Sequence, residues 1–145
     1  PVLYDEPEMC NCGKKGCLEQ IASATGIVRH AKRLLANTDK ASVLRKEDLT
    51  AKDVFDGFKV GDELAGVIVN DVCDCLATAL AHITCVVNPE VIVIGGGVSK
   101  AGNILTDTVT KYYKEKAFHA CRDTKIVLAT LGNDAGIYGA AGLVL

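Results

Sequence analysis

Four β-branched residues in a row, Val91-Ile92-Val93-Ile94, run directly into Gly95-Gly96-Gly97-Val98-Ser99. A strand with one wet face alternates apolar and polar side chains. A strand apolar at every position predicts a central strand covered on both faces. The segments around it follow from that placement. Upstream, Leu64, Val67, Ile68, Val72, Cys75, Leu76, Ala79, Leu80, Ile83 and Val86 keep a helical stripe through residues 62–87, and Asn88-Pro89 ends it, since a residue before proline is pushed out of the helical region. Downstream, Ser99 is a candidate cap for a helix carrying Ile104, Leu105, Val109, Tyr112 and Tyr113. A second strand follows at Lys125–Leu131, and then a glycine- and alanine-rich final helix. The order helix, strand, helix, strand, helix is that of an α/β fold. A lone parallel pair does not make an independent sheet, so the domain is expected to need strands beyond these two.

The stripe over 62–87 is long enough to raise a membrane span as the alternative. Asp71, Asp74 and His82 interrupt it, and charges in hydrocarbon are costly, so it reads as a buried core helix. Nearer the start, Leu18, Ile21, Ala22, Ile27, Val28, Ala31, Leu34 and Leu35 recur at helical spacing, with Gly26 as the weak point and Asn37 as the stop. Thr50 followed by Asp53 predicts a capped helix start burying Val54, Phe55 and Phe58. The 145 residues suffice for one globular domain, and a formal net charge of −2 without charged blocks gives no support to nucleic-acid binding.

The densest chemistry is Cys10-Asn11-Cys12-Gly13-Lys14-Lys15-Gly16-Cys17-Leu18-Glu19. Glycines between thiols offer no core to pack into, but they permit tight turns that bring three sulfurs around one soft ion. Cys10, Cys12 and Cys17 therefore predict a zinc knuckle lacking one ligand. Glu19 follows at a helix start. It reads equally as a solvated first-turn acid favoured by the helix dipole and as a carboxylate held by the metal loop to receive a polar ligand. The triple glycine after the strand would let a ligand approach the backbone, with the next helix offering free N–H groups; the alternative is a tight turn with no ligand. It is neither a dinucleotide fingerprint, which needs a further glycine, nor a Walker A loop, since Asn103-Ile104 follow Gly102 in place of Lys-Ser/Thr.

The remaining candidates are structural. Asn133 or Asp134 reads as a cap for the last helix, and Gly136, Gly139 and Gly142 would let that helix pack closely on a neighbour. His30, His82 and His119 are isolated, and none reads as a ligand or base. Seven cysteines are an odd number without the spacing of a disulfide framework; Cys73, Cys75, Cys85 and Cys121 sit in apolar or helical surroundings, which points to a reducing, cytoplasmic compartment. The chain starts at Pro1 with no signal peptide, and reads as part of a longer protein.

Cys10 through Glu19 match the pattern C-x-C-G-x-x-G-C-x-E without a gap. With the glycines after Val91–Ile94 and the Gly-Asn-Asp-Ala-Gly-x-x-Gly-Ala-Ala run from Gly132 to Ala141, the chain resembles the ROK family of bacterial sugar kinases and sugar-responsive repressors over essentially its whole length. The resemblance implies an actin-like ATPase (ribonuclease H-like) fold with sugar and nucleotide in a cleft between two lobes. Residues 1–145 would be the carboxy-terminal portion of such a protein. Cys10, Cys12 and Cys17 would hold structural zinc with a histidine from upstream, Glu19 would bind sugar hydroxyls, and Gly95, Gly96 and Gly97 would line the adenosine pocket. The implied reaction is phosphoryl transfer from magnesium-bound ATP to the 6-hydroxyl of glucose or a related hexose, in a homo-oligomer with no membrane or nucleic-acid partner. The phosphate-binding loop and catalytic aspartate of the family belong to sequence before Pro1, so no catalytic residue is assigned here and the isolated chain is expected to be inactive. Two rivals remain: a ROK repressor that binds sugar without phosphorylating it, and a zinc-stabilised interaction module.

Overall fold

A computed structural model describes residues 5–131 and 135–143. The elements are α1 (Glu19–Ala22), α2 (Ala24–Ala36), α3 (Ala51–Lys59), α4 (Glu63–Val87), β1 (Val91–Ile94), a short 3-10 helix (Gly97–Ala101), α5 (Asn103–Lys116), a second 3-10 turn (His119–Cys121), β2 (Lys125–Leu128) and α6 (Ala135–Gly142). The α/β order predicted from sequence is present, and β1 and β2 pair in parallel, with Val91 opposite Lys125 and Ile94 opposite Leu128.

The core sits between α4 and the helices around it. Ile68, Val69, Val72 and Cys73 of α4 are sealed from solvent with Ile27 and Ala31 of α2, Val54 and Phe55 of α3, and Leu105, Val109 and Tyr113 of α5. By length and composition α4 could cross a membrane, but half of its most apolar window is buried in this helical core. It starts where Asp62 accepts from the Ala65 N–H and ends at Asn88, whose φ of 45° carries the chain out before Pro89. The α3 capping box is complete, with Thr50 accepting from the Asp53 N–H and the Asp53 carboxylate accepting from the Thr50 N–H.

Several expectations need correction. First, the helical stripe of residues 18–35 is two helices. The chain turns at Ser23, which is extended and caps α2 by accepting from the Gly26 N–H at 2.9 Å, so the break precedes Gly26. Gly26 instead marks where α2 touches α1: a Cβ there would lie 2.6 Å from the Gln20 carbonyl oxygen. Second, only one face of the sheet is covered among the described residues. Ile92, Ile94, Ile126 and Leu128 pack on the helical core, while Val91, Val93 and Val127 remain 40–57% exposed. Third, Ser99 caps nothing: it lies inside the 3-10 helix with its hydroxyl on the Gly96 carbonyl at 2.7 Å, and Gly102 precedes α5. β2 also stops at Leu128, three residues short of the predicted end. Fourth, Gly136, Gly139 and Gly142 have open space where a Cβ would be, so α6 makes no close packing there among the described residues. Cys73, Cys75 and Cys121 are buried as predicted, but Cys85 is exposed. The proposed caps Asn133 and Asp134 lie outside the described residues.

Candidate functional site

The cysteine loop folds as its glycines predict. Gly13 and Gly16 adopt φ of 80° and 75°, a region closed to most L-residues, and the loop is tied by Cys10 N–H to Lys14 O at 2.7 Å and Gly13 N–H to Cys10 O at 2.8 Å. The sulfurs of Cys10, Cys12 and Cys17 all lie within 4.8 Å of one another, with Cys12 and Cys17 at 3.4 Å. Three thiols this close cannot all ionise unaided. A hydrogen bond from the Lys14 backbone, helped by the neighbouring sulfurs, pulls Cys12 down, and the same neighbours, Cys12 first, push Cys17 up to about 11. The set is soft, convergent and partly open, which suits a thiophilic divalent cation.

The loop leads straight into α1, and Glu19 at its first position is exposed but held. Ser23 donates to Glu19 Oε1 at 3.1 Å, and the Cys10 Sγ lies 3.6 Å from Oε2. Thr25 adds a longer contact to Oε1 at 3.5 Å. The turn at Ser23 thus serves twice, ending α1 and orienting its acid.

Glu19 and the triple glycine line one cavity of about 410 Å³, together with Ala22, Ser23, Leu76, Ile94 and Val98. Gly96 has φ 76° and ψ −168°, so the backbone there demands glycine. Gly95 and Gly97 do not: a Cβ would meet only Ala129 Cβ at 3.5 Å and Ala24 Cβ at 3.6 Å, which is ordinary contact. A second cavity of about 360 Å³ continues along the same loop, sharing Ala24, Gly97 and Val98 and walled by Thr50, Lys52, Phe55 and Lys100. The first cavity thus carries a carboxylate and the second, against the same three residues, two lysines.

The structure therefore joins the acid and the glycines that sequence reasoning had separately singled out. It also adds residues that reasoning missed. In sequence Ser23 carries the signal of a possible cap and Thr50 that of a cap alone, while Lys52, Phe55 and Lys100 carry no motif. A larger cavity of about 510 Å³ lies between α2, α4 and α5, lined by His30, Asn70, Asp71, Asp74 and Tyr112, and none of the sequence-predicted site residues reaches it. His30 is not isolated: its Nε2 is 3.0 Å from Asp71 Oδ2.

The chain is similar to known proteins in both sequence and fold. The chain is 42% identical over 140 residues to a glucokinase of Halalkalibacterium halodurans, covering 93% of this chain and 42% of the relative. It is 38% identical over 148 residues to a glucokinase of Thermotoga maritima, covering 99% and 47%. Among solved structures, a ROK family glucokinase from Streptomyces griseus in complex with glucose and AMPPNP superposes with a TM-score of 0.84 at 28% identity, covering 98% of this chain and 48% of that one. The DNA-binding transcriptional repressor Mlc of Escherichia coli is 33% identical over 135 residues, covering 93% of this chain and 33% of the repressor. The chain spans less than half the length of these relatives. Its helical core and parallel strand pair take the fold of ROK sugar kinases. The family model itself matches residues 2–145, and the chain belongs to the ROK family.

Proposed function

We propose that this chain is the carboxy-terminal portion of a kinase that transfers the γ-phosphoryl group of ATP to the 6-hydroxyl of glucose. The observation that carries this is the cavity joining Glu19 to Gly95–Gly97, with a second cavity lined by Lys52 and Lys100 on the other side of Gly97 and Val98. Glu19 has no ion-pair partner among the described residues, and such a carboxylate is a strong acceptor for sugar hydroxyls, while bare glycine backbone admits the flat, polar body of a nucleotide. Glucokinase relatives and the solved complex with glucose and an ATP analogue support the same pairing of ligands.

Each part of the chain has a defined task in that function. Glu19, oriented by Ser23, accepts hydrogen bonds from the sugar and fixes which hydroxyl faces the nucleotide. Gly95, Gly96 and Gly97 line the adenosine side. Cys10, Cys12 and Cys17 fit structural zinc by their convergence and softness, and a histidine upstream of Cys10 completes the set. When bound, zinc fixes the loop ahead of α1, and magnesium neutralises the triphosphate. The base that takes the proton from the sugar and the loop that holds the phosphates belong to the remainder of the full-length protein. Residues 1–145 by themselves are expected to give no glucose-dependent ATP turnover, and turnover by a contaminant-free sample would overturn this. The reducing cytoplasm keeps the seven cysteines as thiols.

In the full-length protein, Glu19→Gln removes a charge-assisted bond worth about 1.5–3 kcal/mol, so the glucose KM rises roughly ten- to hundredfold while the ATP KM holds. An unchanged glucose KM in a coupled ADP-release assay would remove Glu19 from the sugar site. The repressor Mlc supports a second reading, a sugar sensor without kinase activity. Glucose binding by calorimetry with no ATP turnover by the full-length protein would establish that alternative.

A further inference from the structure

Gln20 stands out because its polarity has no place in the function described so far. It follows Glu19 on α1 yet is only 2% exposed. A carboxamide that is buried must be hydrogen-bonded, and this one is used at both ends. Its Oε1 accepts from the Cys17 N–H at 3.0 Å, and its Nε2 donates to the Glu8 carbonyl, 12 residues upstream, at 3.0 Å. These partners settle the orientation of the amide, since an N–H requires the oxygen and a carbonyl requires the nitrogen.

The surroundings make this more than a loop contact. The lead-in around Glu8 is strapped to α2 by the Glu6 carboxylate, 6% exposed, which receives a bidentate pair of bonds from Arg33 at 2.8 and 3.2 Å. The main chain of Gln20 is fixed as well: its carbonyl accepts from Arg29 Nη2 at 2.6 Å and lies against Gly26. α1 is only four residues long and its N-cap, Leu18, supplies no side-chain bond. The entry into the helix that bears Glu19 is therefore held from inside, by Gln20 reaching back to the backbone of Cys17.

We propose that Gln20 is a positioning residue, its buried carboxamide clamping the lead-in segment and the last metal-binding cysteine to the helix that presents Glu19. Cys17 and Glu19 are then placed by one side chain, so metal affinity and sugar affinity depend on it together. This rests on zinc at the knuckle and sugar at Glu19, as proposed above.

Two variants of the full-length protein separate the two bonds. Gln20→Met keeps the volume and loses both. Gln20→Glu keeps the acceptor for Cys17 and loses the donor to Glu8. Zinc affinity is measured by competition with a chromophoric chelator, glucose KM and kcat by coupled assay, and exchange of the Cys17 amide by hydrogen–deuterium exchange of the metal-free protein. Gln20→Met is expected to weaken zinc about 10- to 100-fold, the range for residues that orient metal ligands. Glucose KM should rise several-fold with kcat within about twofold, and the Cys17 amide should lose protection. Gln20→Glu should retain that protection while weakening zinc.

Zinc affinity, glucose KM and Cys17 exchange all within twofold of wild type in Gln20→Met would overturn the proposal. So would loss of the native circular dichroism spectrum in both variants, which would make Gln20 a core residue. If wild type binds no zinc, or Glu19→Gln leaves the glucose KM unchanged, the metal or sugar assignment fails by itself, and Cys17 exchange still decides the role of Gln20.

Discussion

The three glycines that follow β1 make different demands, and substituting each by alanine in the full-length protein separates backbone need from ligand need. Gly96 sits at φ 76° and ψ −168°, a conformation almost closed to residues with a Cβ. Holding alanine there costs about 1–3 kcal/mol, and a stiffer unfolded chain returns at most about 1 kcal/mol. Gly96→Ala should therefore lower stability by about 2 kcal/mol, read as a lower urea midpoint at constant slope. Gly95 and Gly97 have neither strain nor clash, since their nearest Cβ contacts are 3.5 and 3.6 Å. Alanine at either position should leave the midpoint unchanged or slightly higher. The added methyl of Gly97→Ala, however, stands where the two cavities meet beside Ala24. If nucleotide fills that space, crowding of about 1 kcal/mol or more raises the ATP KM roughly fivefold or further, with glucose KM unaffected. Equal stability of Gly96→Ala and Gly97→Ala would refute the strain argument. An unchanged ATP KM in Gly97→Ala would show that this space is not filled at that point.

Two further outcomes test the scaffold. Tyr113 is fully buried and its hydroxyl donates to the Cys121 carbonyl at 2.7 Å, which also accepts from the Thr124 N–H at 3.1 Å, so Tyr113→Phe removes one of two bonds to that carbonyl and should cost about 0.5–1.5 kcal/mol by urea denaturation; a loss below about 0.3 kcal/mol would mean that the Thr124 bond alone satisfies it. The Lys46 ammonium, together with the Thr50 hydroxyl, holds the Asp53 carboxyl down at about 2, below its ordinary 3.8. A carboxylate lowered on folding stabilises above its unfolded value and loses that contribution as the pH falls through the folded one. The stability gap between wild type and Asp53→Asn should thus be full above about pH 4, near 1 kcal/mol for so solvent-screened a group, and vanish towards pH 2; a gap independent of pH would exclude the ion pair as its source.

Local features were legible because their causes are local. The turns at Gly13 and Gly16, the Thr50–Asp53 box and the stop at Asn88-Pro89 each depend on backbone freedom or on bonds within a few residues, so residue type at fixed spacing dictates them. The same holds for the convergence of three thiols within one ten-residue loop. Ser99 misled because a good capping residue is equally good at bonding backward, and here it bonds to Gly96.

What lies beyond local spacing was decided by packing. Gly26 looked like a helix breaker, but it is the contact through which α2 reaches the backbone of α1. The unbroken Val91–Ile94 run records that a strand is buried, not what buries it, and among the described residues one face stays bare. His30 meets Asp71 across 41 residues, and Gln20 reaches Glu8 across 12. By itself the sequence determined the parts: a thiol loop, an acid at a helix start, a strand ending in glycines. Only the tertiary structure put the acid and the glycines on one cavity, because that depends on α1 and β1 both packing on the same helical core, and contacts between distant segments leave no periodic trace in the chain.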